Sequence, residues 1–204
     1  MRILAVCDTE CLINAFNQRL EDLLCSSPAL DSPAVKDWLQ AVDPVQQLLN
    51  AVLYVVHPEM YDANSQAIPF LQEEMTRSIP SWPSVYHAMD IIANRVTIPH
   101  TDQGSATTFY DHLVSLGNDH DARLTLDTLQ GELEYKSGTS VLFPGNTFLH
   151  AVPAWGGGER LVIAHYSKDG VHDRVNVARP SLPTQKGWWS KYRDIGEEQK
   201  WFRS

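Results

Sequence analysis

The chain has 204 residues, 43% apolar and 20% charged, an ordinary globular composition that excludes disorder and fibrous repeats and suffices for a buried core without covalent staples. Sixteen Lys and Arg against 25 Asp and Glu give a net charge of −9, which argues against broad contact with nucleic-acid phosphates. The charge is uneven: from Arg174 onward seven basic residues meet three acids, a net +4, so the preceding 173 residues carry −13.

Cys7, Cys11 and Cys25 all fall in the first 25 residues. An odd number without a spaced framework points to reduced, buried thiols of an intracellular protein rather than to disulfides or a metal site. The apolar start is too short for a signal peptide, and no run of 18 apolar residues occurs.

Residues 1–81 read as a helical region that supports a β-rich core. Asp8 or Thr9 can cap a helix whose apolar face is Leu12, Ile13, Phe16, Leu20, Leu23 and Leu24. Pro33 suits the first turn of a second helix carrying Val35, Trp38, Leu39 and Val42. Pro44 resets the pattern, and Val45, Leu48, Leu49, Val52 and Leu53 resume helical spacing. A short helix is expected over Phe70–Met75.

From Trp82 the pattern changes to short β-prone runs: Ala88–Ile98, Thr107–Ser115, Ala122–Leu126, Glu132–Tyr135, Thr139–Phe143, Thr147–Val152 and Arg160–Ser167. Such runs bounded by Gly, Pro, Asn and Asp predict a sandwich or barrel. Helices followed by strands predict an α+β fold with the helices packed on one sheet. Gly156-Gly157-Gly158 has no following Lys-Ser/Thr and reads as a strand-connecting loop. The expected division is 1–81 helical, 82–178 β core and 179–204 a basic aromatic tail, in one integrated domain.

His100 and Asp102 stand two apart at the end of a predicted strand, where i and i+2 share a face. His150 lies on a later strand and can complete a set of two His and one carboxylate. That set leaves open positions on Fe(II) for a bidentate co-substrate and O2. A His-x-Asp pair arises by chance about as often as not in a chain this rich in both, so the later Phe-Leu-His strand matters more. Arg160, ten residues beyond His150, offers the planar donor that the distal carboxylate of 2-oxoglutarate needs. Each has a plainer reading: His100 as a loop residue, Asp102 as a turn cap, His150 as a hydrogen-bonded core residue, Arg160 as half of a solvated pair with Glu159. His57, His112, His120 and His172 have polar neighbours and are expected at the surface. His165, on the last strand, is a second choice as ligand.

Several blocks, in order, resemble the TET/JBP-type Fe(II)- and 2-oxoglutarate-dependent dioxygenases, especially their short fungal members. They are Asn94-Arg95-Val96-Thr97-Ile98-Pro99-His100-Thr101-Asp102, Phe109-Tyr110-Asp111-His112-Leu113, Tyr135-Lys136-Ser137-Gly138-Thr139, Pro144 through Val152 with Trp155 and Gly158-Glu159-Arg160, and Ala164-His165-Tyr166-Ser167-Lys168-Asp169. The likeness covers roughly residues 50–178. It implies a double-stranded β-helix (jelly roll) with helices on the major sheet. It implies Fe(II) on His100, Asp102 and His150, with 2-oxoglutarate and O2 as co-substrates. Arg160 would hold the 2-oxoglutarate carboxylate, and Asn94 would help orient it.

The implied substrate is a methylated pyrimidine in DNA or RNA, 5-methylcytosine or thymine, flipped into the pocket. The tail interleaves basic and aromatic residues (Arg179, Lys186, Trp188, Trp189, Lys191, Arg193) as phosphate contact and base stacking require, although the same Trp residues could pack on the barrel. Short loops and an acidic body keep a small-molecule hydroxylase and a non-catalytic binding domain as alternatives. No membrane or protein partner is expected. The expected location is intracellular, nuclear if DNA is the substrate and otherwise cytoplasmic.

Overall fold

The computed structural model describes residues 11–13, 32–74 and 82–190. Helix α1 spans Pro33–Val56 with Pro33 in its first turn. Pro44 lies inside it, so the expected reset does not occur. An internal proline forfeits one helical hydrogen bond. Here Leu39, Leu49 and Leu53 carry a buried face straight past it, and that packing outweighs the lost bond. His57 precedes Pro58 and leaves the helical basin (φ −142°, ψ 70°), which ends α1. Helix α2, Pro58–Glu74, starts twelve residues before the short helix the periodicity suggested, and Met75 lies outside the described residues.

The nine strands among the described residues track the predicted runs closely, with two corrections. They are β1 (Cys11–Ile13), β2 (Ala88–Ala93), β3 (Thr97–His100), β4 (Asp111–Asn118), β5 (Arg123–Leu126), β6 (Gly131–Glu134), β7 (Ser140–Phe143), β8 (His150–Val152) and β9 (Glu159–Tyr166), followed by helix α3 (Asp169–Val175). Leu12 and Ile13, expected in a helix, form β1, which pairs antiparallel with the free edge of β2; a short apolar run takes whichever partner the fold offers. The rest of that expected helix, with Cys7 and Cys25, lies outside the described residues. The run Ala88–Ile98 is divided, because Asn94 adopts a left-handed conformation (φ 50°) and sends β3 into the other sheet.

One sheet has the order β1-β2-β9-β4-β7 and the other β3-β8-β5-β6, with antiparallel pairing throughout. This is the jelly-roll core. Helices cover the five-stranded sheet: Leu39, Leu71 and Val171 pack on Met89 and Ile163. Between the sheets lie Leu124, Tyr135, Phe143, Val152 and Val162. The two-residue period of β9 turns Arg160, Val162, Ala164 and Tyr166 toward the interior. Gly156 and Gly158, both at positive φ, turn the β8–β9 loop as expected.

The histidines expected at the surface are all buried: His57, His112, His120 and His172. Each finds a partner distant in sequence or across a turn. His57 Nε2–H donates to Thr108 O (2.9 Å), and His120 Nε2–H to Leu116 O (3.0 Å). His112 meets Ser140 Oγ (2.5 Å), and His172 meets the Asn64 side chain (3.2 Å). Polar flanks in sequence do not report such tertiary partners.

Candidate metal centre and co-substrate cavity

β3 and β8 place His100 directly opposite His150, with ring centroids 4.3 Å apart. Asp102 lies two residues beyond the end of β3, so strand parity does not orient it. The loop before β8 does: Asp102 N–H donates to Gly145 O (3.0 Å), and Asn146 Nδ2–H donates to Asp102 O (3.0 Å). The carboxylate then reaches His100 Nε2 at 3.5 Å through Oδ1 and His150 Nε2 at 3.7 Å through Oδ2. One donor atom from each residue lies within 4.8 Å of the others.

Both imidazoles are held alike. His100 Nδ1–H donates to Ile98 O and His150 Nδ1–H to Phe148 O, each at 2.8 Å. A backbone carbonyl two residues upstream therefore takes the Nδ1 proton and leaves the Nε2 lone pair facing Asp102. Phe143 packs edge-on against the His150 ring at 4.9 Å. His150 is buried, and desolvation holds its pKa below the ordinary imidazole value, which favours the neutral, ligating form. His100 and Asp102 are about one-third exposed, so the centre opens on one side.

That side is a cavity of about 190 Å³ between the sheets, which all three residues line. Arg160 lies in its wall, 3% exposed. Its guanidinium sits 5.7 Å from the Tyr135 ring centroid and 5.8 Å from that of Trp155, and Nη1–H donates to Arg95 O (2.9 Å). Arg160 Nε and the Tyr135 hydroxyl are buried without a hydrogen-bond partner. Arg160 makes no ion pair among the described residues, so the buried cation and its neighbouring hydroxyl fit an incoming carboxylate. Burial lowers the Arg160 pKa and raises that of Tyr135, whose proton stays available for donation.

Asn94 is not in the cavity wall. Its Oδ1 accepts the Arg160 backbone N–H (2.8 Å) and its own N–H donates to Arg160 O (2.8 Å), which fixes the Arg160 backbone. His165 lines the cavity, but its ring is taken by His112 O and Gln46 (both 3.0 Å), away from the His100–Asp102–His150 set. In the tail, Arg179 pairs with Asp169 (2.6 Å) and Asp173 (2.7 Å), and the Trp188 indole N–H donates to Val55 O (2.9 Å). Lys186 and Trp189 are exposed, while Lys191 and Arg193 lie outside the described residues.

Tyr135, Arg95 and Asp111 also line the cavity, and residue-by-residue reading gave none of them a role. Asp111 carried a signal: it shares inward strand parity with the apolar Leu113. Its carboxyl is buried facing that of Asp102, and a Cβ at Gly145 would overlap an oxygen of each. Burial, and secondly Asp102, push the Asp111 pKa well above the carboxylate range.

A jelly roll with two histidines and a carboxylate at an open cavity defines a non-haem iron oxygenase architecture. The sequence profile of the Tet/JBP family, the oxygenase domain of the 2OGFeDO superfamily, matches residues 22–169, and the chain belongs to that family. That superfamily uses Fe(II) and 2-oxoglutarate, and His100, Asp102 and His150 form a set that fits the iron. Among solved structures, NgTET1 in complex with 5mC DNA aligns with a TM-score of 0.59 at 16% identity, over 84% of this chain, and establishes the shared fold. This chain spans 64% of the NgTET1 chain. A Cupin 2 conserved barrel domain protein from Salinispora arenicola CNS-205 aligns at TM-score 0.33 and 16% identity, over 47% of this chain and 76% of that one, too distant to weigh. No curated protein matches.

Proposed function

We propose that this enzyme oxidises the methyl group of a methylated pyrimidine in nucleic acid, with Fe(II) on His100, Asp102 and His150 and 2-oxoglutarate anchored by Arg160 and Tyr135. The single observation that carries the reading is the convergence of three ligand atoms at the mouth of a cavity whose far wall holds a buried arginine with no carboxylate partner. NgTET1, which shares the fold, is bound to 5mC DNA, and that supports a methylated base as substrate.

Bound iron and 2-oxoglutarate supply the oxidising power: O2, 2-oxoglutarate and a methyl C–H are converted to succinate, CO2 and a hydroxymethyl product. The chain's residues bind and orient. Arg160 and Tyr135 would hold the distal carboxylate of the co-substrate in the cavity that His100 and His150 also line. Thr97, Ile92 and Val162 complete the wall around it and limit water. A base reaches this depth only when turned out of its stack, and Lys186 and Trp189 remain exposed to meet the strand.

A small-molecule hydroxylase is the second reading. The occupation of Arg179 and Trp188 by intramolecular partners favours it, since both are withdrawn from a nucleic-acid surface. Mass spectrometry of nucleosides after incubation of iron-loaded enzyme with methylated DNA and RNA separates the two. Hydroxymethylated nucleoside is expected; unchanged nucleosides alongside metabolite-dependent succinate would establish the second reading.

A further inference from the structure

Helix α1 is apolar on two faces. Leu39, Leu49 and Leu53 are its buried side. On the outer side Ala41, Val45, Leu48, Val52 and Val55 recur at alternating steps of four and three and form a second apolar seam. Leu48 is 64% exposed, Val45 48% and Val55 44%. Ala51, Val52, Val55 and Val56 line a shallow groove at the end of this seam. A surface helix ordinarily presents a polar face to water, so a seam of this kind fits a second helix.

The chain itself delivers one to that place. Beyond α3 it crosses the start of α2 and reaches the C-terminal end of α1: Ser181 N–H donates to Glu59 Oε2 (3.1 Å), and the Trp188 indole N–H donates to Val55 O (2.9 Å). Rising residue numbers in this strap meet falling numbers in the helices, the sense of an antiparallel approach. Residues 185–190 are helical. Thr184 opens the turn: its Oγ1 accepts the Gly187 N–H (3.1 Å) and its carbonyl accepts the Trp188 N–H (2.8 Å). The described residues end at Ser190, and fourteen more follow.

Those residues carry a matching pattern. Trp188, Tyr192, Ile195, Gln199 and Phe202 repeat at steps of four and three, and helical periodicity puts Arg193, Asp194, Glu197 and Lys200 on the other sides. With Trp188 at Val55, an antiparallel helix sets Ile195 against Leu48 and Phe202 against Ala41, because both patterns advance seven residues over each two turns. The small Ala41 leaves room for the phenyl ring. Gly196 weakens the helix but leaves the spacing of the seam unchanged.

We infer that residues 191–202 continue the 185–190 helix and dock antiparallel on the outer seam of α1. Tyr192 and Phe202 are then committed to α1 and withdrawn from base stacking.

Hydrogen exchange followed by mass spectrometry on the full-length protein tests this. Amides of 191–202 should exchange at least about tenfold more slowly than the same sequence as a free peptide. Leu48→Asp and Ile195→Asp should each abolish that protection, and the double variant should lose nothing further. Gln47→Lys, on an exposed flank of α1 outside the seam, should leave it intact. Protection of β4 and β9 reports that the core is folded in each variant. Should Leu48→Asp loosen α1 itself, Ile195→Asp, which leaves α1 untouched, decides the matter. Exchange of 191–202 at the free-peptide rate in the wild type, or protection that survives Ile195→Asp, would overturn the inference. So would a dimer in sedimentation that Leu48→Asp dissociates and Ile195→Asp does not, since the seam would then belong to a second copy of the chain.

Discussion

Tyr135 and Arg160 illustrate how a buried orphan group points to a missing ligand. Among the described residues, the Tyr135 hydroxyl and Arg160 Nε have no hydrogen-bond partner. Tyr135→Phe removes one donor to a charged acceptor, worth about 1.5–3 kcal/mol, so KM for 2-oxoglutarate should rise at least about tenfold with kcat little changed. A 2-oxo acid lacking the distal carboxylate should show no such change, and steady-state kinetics on the two acids decides the matter. At the metal, His100→Ala should abolish the anaerobic charge-transfer band; a band that survived would remove His100 from the ligand set. Arg160, His100 and His150 could be singled out in sequence because charged or imidazole side chains on β-runs demand explanation, and Asp102 because it follows His100 by two residues. Tyr135 was not, since a tyrosine on a strand reads as core and only the burial of its hydroxyl beside a cation singles it out.

Between elements, the close approach of β4 to β9 sets the inner wall of the cavity. Gly117 pairs with Arg160 at φ +115°, and a Cβ there would run into the Glu159 carbonyl. Gly117→Ala should destabilise by about 2–3 kcal/mol in chemical denaturation. Gly138→Ala, at φ +87° with open space around it, should cost only about 1 kcal/mol, so a comparison of the two separates collision from backbone strain. The strand runs of the β core were readable because alternation and turn residues coincide. Helix boundaries were less so: Pro44 and Pro69 both sit inside helices whose tertiary packing overrides the local penalty. Asn94 divides β2 from β3 and hydrogen-bonds the Arg160 backbone, a task visible only once the two sheets are known.

Across the whole molecule, the layer between helices and major sheet is unusually rich in neutral histidine. Burial depresses His87 and His112 to about 3 and His165 to about 4, and it lowers His57 and His172 as well. Unfolding releases each to an ordinary value near 6.5, so the unfolded chain binds more protons below that pH. The stabilisation is complete above about pH 6.5 and falls as pH drops toward the folded values, by about 1.4 kcal/mol per pH unit for each histidine still excluded from protonation. Urea unfolding should therefore show a steep loss of stability between pH 6.5 and 4; a flat profile there would mean these rings are protonated in the fold. Composition revealed the number of histidines but not their depth, because it cannot show which helix covers which strand. The acidic body and basic tail were legible from the start, whereas the internal pairing of Arg179 was not.

The matched hydrogen bonds from His100 and His150 to carbonyls two residues upstream bear on how the enzyme is loaded. Neither ring has to search for a tautomer or a rotamer when an ion arrives. Capture should then be paced by the shedding of water from the metal, and loading with a diamagnetic divalent ion such as Zn²⁺ should shift the amide spectrum mainly around residues 98–102 and 145–150.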